Sequence, residues 1–125
     1  MSASVEATIY HHPECSTSRK VLALIRSAGI EPDIIEYVKM PPTRATLMDL
    51  ISRARLAPRD LLREKEALYA QLGLKSTSLT GDQLVDAMLA HPVLMNRPLV
   101  VTPWGVKLCR PAETVWDILP QGRTR

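Results

Sequence analysis

The stretch ATIYHHPECSTSRKVLALIRSAG, residues 7–29, decides the fold. Ala7 to Tyr10 reads as a short strand, its apolar and β-branched residues running into the polar loop His11-His12-Pro13-Glu14. From about Ser16 to Ala28 the spacing changes to that of a helix, with Val21, Ile25 and Ala28 on one face and Gly29 as its stop. Asp33 to Val38 returns to strand character and is closed off by Pro41-Pro42. The order is strand, loop, helix, strand: a βαβ unit with a cysteine, Cys15, at the loop-to-helix junction.

Outward from this unit the chain turns helical. Thr43 can cap a helix carrying Leu47, Leu50, Ile51 and Ala54 at spacings of three and four. Pro58 suits the first turn of a short helix through Leu61, Leu62 and Arg63. Thr80-Gly81-Asp82-Gln83 is a capping box for a helix that buries Leu84, Val85, Met88 and Leu89 and ends before Pro92. After Arg97-Pro98 come two β runs, Leu99 to Thr102 and Val106 to Cys109, joined by a hairpin turn at Pro103-Trp104-Gly105. A final helix covers about Ala112 to Leu119. The expectation is a single α/β domain over residues 1–125, with a loose tail from about residue 120.

The 125 residues suffice for a core without metals or disulfides. Hydrophobic residues make up 46% and charged residues 23%, an ordinary globular balance, but Phe is absent, so the core must come from Leu, Ile, Val, Ala and Met. A net charge of +3 is too small and too dispersed to indicate nucleic acid. The opening MSASVEATIY has neither the basic nor the apolar region of a secretory signal. The longest apolar run, Val21 to Ile25, falls far short of the roughly 20 residues of a membrane span. Two cysteines provide no disulfide framework, which points to the reducing cytoplasm.

Cys15 directly precedes a helix, where unpaired N–H groups and the helix dipole favour an anion. A thiol of pKa near 8.5 is only about 3% ionised at pH 7, but a helix N-terminus can lower that value by several units. His11, Ser16, Thr17 and Ser18 surround it with polar groups. The expectation is a thiol pKa lowered by the helix terminus and by His11, with the Ser18 hydroxyl reaching back to the sulfur. The competing reading is a buried structural cysteine, although a Pro/Ser/Thr-rich loop is an unusual place for one. A dithiol motif would need cysteine at position 18, which is Ser18. A cysteine-phosphatase loop would need arginine at position 21, which is Val21. His11, His12, Cys15 and Cys109 lack a zinc-site spacing, so no metal is expected.

The loop HHPECSTSR at 11–19, with the later runs HPVLMNRPLVVTP and LCRP, resembles the glutaredoxin-linked arsenate reductases. The similarity extends through EPDIIEYVKMPPTR, LLREKEALYAQLGL and TGDQLVDAML, over about positions 8 to 119. The resemblance implies a thioredoxin-like fold: a small mixed four-stranded sheet with a helical insertion after the second strand. It implies that Cys15 attacks arsenic, that His11 and Ser18 assist the thiolate, and that Arg63, Arg97 and Arg110 bind the oxyanion. It also implies a cis Arg97–Pro98 bond. Two positions depart from the family loop: His12 stands where Asn is common, and Ser16 where Gly is common.

Arginine suits the task, since guanidinium groups stay charged and pair with tetrahedral oxyanions through two N–H donors. The implied activity is reduction of arsenate to arsenite through a covalent thioarsenate, with no bound cofactor, glutathione as co-substrate, glutaredoxin as partner and a disulfide as product. Cys109 is expected to point away from Arg110 into the core, because adjacent strand residues face opposite sides. Two other readings remain open. One is a thioredoxin-like adaptor or regulatory binding protein, which would need no set of three arginines. The other is a general glutathione-dependent thiol oxidoreductase, separable only by a substrate assay.

Overall fold

A computed structural model describes residues 6–120. The expected loose tail, Gln121 to Arg125, lies outside them. The chain divides into two compact units, one running up to Tyr37 and resuming at Arg97, the other formed by Val38–Asn96.

The first unit holds β1 (Thr8–His11), α1 (Ser16–Ser27), β2 (Asp33–Glu36), β3 (Leu99–Thr102) and β4 (Gly105–Leu108). Its four-stranded sheet has the order β2-β1-β3-β4. β1 runs parallel to β2 and antiparallel to β3, and β3 pairs antiparallel with β4, so the sheet is mixed as expected. β2 stops at Glu36, not Val38, because its last partner, His11, is also the last residue of β1. β4 ends at Leu108, one residue before the expected Cys109. Leu108 faces Leu99, and the next partner would be Pro98, which has no N–H to give to the ladder.

Ile9 and Val100 are register partners and share the core with Val21 and Ile25 of α1. Ala112, Val115 and Ile118 complete that core from a 3₁₀ helix, Ala112–Ile118. The spacing of three explains why the final helix is 3₁₀: at three residues per turn the buried side chains stack in one stripe.

The second unit is the segment inserted between β2 and β3. It contains α2 (Arg44–Arg53), a 3₁₀ turn Pro58–Leu61, α3 (Ala67–Gln71), α4 (Gly81–Ala90) and a 3₁₀ turn Pro92–Leu94. Both expected caps form. Thr43 Oγ1 accepts from the Thr46 N–H at 3.2 Å, and the Thr80 and Gln83 side chains each accept from the other's backbone N–H. Leu47, Leu50 and Ile51 of α2 and Leu84, Val85 and Met88 of α4 are buried, while Leu89 is only half-buried. α3 has no counterpart in the periodicity. An isolated antiparallel bridge, Leu62 to Met95, ties the middle of this unit to its C-terminal end. The Arg63 N–H donates to Leu94 O at 2.8 Å and the Asn96 N–H to Leu61 O at 2.7 Å.

Candidate active site

β1 delivers His11 to the end of the sheet, and the chain turns back at once, with the Cys15 N–H bonded to His12 O at 3.0 Å. Cys15 is the N-cap of α1, in extended conformation at φ −89° and ψ 121°. Arg19, one helical turn on, donates from Nη1 to Pro13 O at 2.9 Å and so braces the loop against the helix. His12 fills its position as a short polar side chain would. Its Nδ1 accepts the N–H of Glu14, two residues ahead, at 3.3 Å, and its ring meets Tyr37 edge-on. Ser16 is exposed.

The Cys15 thiol is half-buried and in no disulfide. Burial alone would raise its pKa. The backbone N–H of Ser18, the Arg97 side chain and the backbone N–H of Thr17 outweigh that effect through hydrogen bonding, aided by the Arg97 charge, and the pKa falls below its ordinary value. The sulfur closes no full capping bond, so the first-turn N–H groups act on it as a set of favourable dipoles. Thr17 and Ser18 thus matter through their backbone, which a reading of side-chain chemistry passes over.

Two expectations are corrected here. The Ser18 hydroxyl does not serve the sulfur: it lies 2.7 Å from His11 Nδ1 and accepts the His12 N–H at 3.1 Å. His11 is not a cation lowering the thiol pKa. It is 6% exposed, and desolvation by burial pulls its own pKa down against the opposing charge of Glu36. The fold therefore favours its neutral form. The buried pair His11–Ser18 fixes the backbone on both sides of Cys15 instead.

Arg97 is also 6% exposed and lies two residues before the start of β3, its bond to Pro98 cis as the resemblance implied. Arg110–Pro111 is cis as well. Arg110 is half-buried, and its Nη1 donates to the Arg97 carbonyl at 2.9 Å. Cys15, His11, Ser18, Arg97 and Arg110 are thus linked within the first unit. Arg63 belongs to the second unit, where it pairs with Glu66 at 3.5 Å.

Cys109 is fully buried in the core of the first unit, as expected, although it lies just past the strand. Burial pushes its thiol up to about 12. Beside the loop, an open groove of about 510 Å³ runs along α1, lined by His11, Pro13, Arg19, Leu22, Ala23 and Arg26. The Arg26 guanidinium is held by both carboxylate oxygens of Glu31. Among the described residues no three His, Cys, Asp or Glu side chains converge as a metal site would need, and no helix is long and apolar enough to cross a membrane.

Comparison with known proteins places this geometry. The model of the ArsC family matches residues 10–118. The chain belongs to the ArsC family. Among its relatives, a protein named arsenate reductase from Rhizobium meliloti (strain 1021) is 56% identical over 113 residues, 90% of this chain and 81% of its own length. An arsenate reductase from Escherichia coli is 53% identical over 116 residues, 93% of this chain and 82% of its own. The solved structure of an arsenate reductase from Vibrio cholerae superimposes with a TM-score of 0.90 at 39% identity, over 94% of this chain and all of that one. The fold is the thioredoxin-like α/β fold of these family members.

Proposed function

We propose that this protein is a cytoplasmic arsenate reductase that works through a covalent thioarsenate on Cys15. The observation that carries the reading is the thiol at the α1 N-cap, its pKa lowered by backbone N–H groups and by a buried arginine, in a chain about half identical to proteins named arsenate reductases. The Cys15 thiolate attacks arsenic and displaces an oxygen as hydroxide or water. Arg97 and Arg110 bind the oxyanion and spread the charge that would otherwise repel a thiolate.

Reduction from As(V) to As(III) needs two electrons and a second thiol. Cys109 is a poor candidate, because a buried thiol with a pKa near 12 is scarcely ionised at neutral pH. The second thiol therefore comes from outside, and glutathione is the proposed source. Its thiolate attacks the Cys15 sulfur, an S–S bond forms, and the S–As electron pair stays on arsenic, which leaves as arsenite. Glutaredoxin then takes the glutathionyl group and returns Cys15 to the thiolate.

The experiment is arsenite formation by purified protein given arsenate, with glutathione and glutaredoxin each present or omitted. Turnover only with added thiol is expected. Absence of arsenite in the complete system, or rapid reduction without thiol accompanied by a Cys15–Cys109 disulfide, would contradict the reading.

A further inference from the structure

Arg110 makes a contact that binding an anion does not require. Its Nη1 donates to the Arg97 carbonyl at 2.9 Å, and the N–H of its neighbour Cys109 donates to the Pro98 carbonyl at 3.0 Å. Two successive residues thus grip two successive carbonyls where the β3–β4 ladder has ended, beyond the Leu99–Leu108 pair. Arg97 is buried, and its side chain acts directly on the Cys15 sulfur. The direction of a side chain follows from its backbone, and this backbone lies outside the sheet that would otherwise hold it.

From this geometry we propose that Arg110 is a positioning residue, holding the Arg97 carbonyl so that the Arg97 guanidinium is presented to Cys15 before any oxyanion binds. The inference rests on the reading of Cys15 as nucleophile and adds a task that the anion-binding role does not contain. The two tasks are compatible, since a guanidinium has five N–H donors and the carbonyl takes one. Other polar side chains of the loop and helix are committed elsewhere. Arg19 donates to the Pro13 carbonyl, and Lys20 pairs with Glu113. His11, on the β1 side, is bonded to Ser18.

The test is a double-mutant cycle read on the thiol, with no arsenate present. The Cys15 titration midpoint is measured by thiolate absorbance in the wild type, Arg110→Met, Arg97→Met and the double variant. Cys109, at about 12, stays outside the titration window. Arg110→Met should raise the midpoint by roughly half a pH unit or more, while the same change in the Arg97→Met background should leave it where Arg97→Met alone put it. Equal shifts in both backgrounds would mean a direct charge effect and would overturn the proposal. So would no shift in either, as expected of a residue that only binds the anion. If Arg110→Met does not fold, Arg110→Lys completes the same cycle, because the shorter side chain carries the charge without the fork. The readout is independent of turnover, so its failure is distinct from a failure to reduce arsenate.

Discussion

Cys15 and Cys109 carry the same thiol within the same unit, and their surroundings drive them in opposite directions. Cys15 caps a helix in a loop of polar residues, faces backbone N–H groups and a buried arginine, and has a lowered pKa. Cys109 sits among Ile9, Val100, Val115 and Leu119, is fully buried, and is pushed up to about 12. Both are withdrawn from water to some degree, and withdrawal alone raises a thiol pKa. The difference is whether the fold supplies donors to replace the lost solvent. At Cys15 they come from the first turn of α1 and from Arg97; at Cys109 the thiol itself donates to Lys107 O at 3.5 Å, and the Thr114 side chain offsets little of the cost of burial.

Substitutions that remove one side of this contrast should differ widely in size. Cys15→Ser should lower arsenate turnover by at least about a thousandfold, as loss of a nucleophile does, while leaving the far-ultraviolet circular dichroism unchanged. Arg97→Lys keeps the charge but not the bidentate fork, and should cost roughly 10- to 100-fold in kcat/KM, measured by initial rates. Normal turnover in that variant would remove Arg97 from the site.

Stability against pH separates the two thiols by sign. Cys109 keeps its proton in the folded state to about 12, whereas the unfolded thiol loses it near pH 8.5. Its contribution is complete below about pH 8.5 and declines as pH rises towards 12, by up to about 1.4 kcal/mol per pH unit. Cys109→Ala should therefore lose stability less steeply than wild type in urea melts above pH 8.5. It should also retain glutathione- and glutaredoxin-dependent turnover. Cys15 behaves oppositely: its folded pKa is lowered, so its contribution is complete above about pH 8.5 and is lost as pH falls through the folded value. Cys15→Ser should flatten that rise, the smallest of these effects.

Much of this contrast was legible in the sequence. The change from strand to helix spacing around Cys15 located the junction, and the caps at Thr43 and Thr80 located α2 and α4, because these signals are local. Other features depend on packing. α3, at five residues, is too short to display a helical period. The 3₁₀ form of the last helix becomes legible only once Ala112, Val115 and Ile118 are known to be buried together. The roles of the Ser18 hydroxyl and of His11 are not legible in the sequence, because their partners are set by packing and not by nearness to Cys15 along the chain. In the fold, β1 and the helix start bring His11 and Ser18 to each other, and burial lowers the imidazole pKa. The carbonyl grip of Arg110 on Arg97 joins residues thirteen positions apart and has no sequence signature.

The central claim, that this fold makes one thiol a nucleophile and silences the other, is tested most directly by alkylation of the native protein as a function of pH, with the modified residue identified by peptide mapping. The account predicts that Cys15 is alkylated with a midpoint below about 8.5 while Cys109 stays unmodified until the chain is unfolded. A Cys15 midpoint at or above about 8.5, or Cys109 reacting as fast as Cys15 in the folded protein, would contradict it.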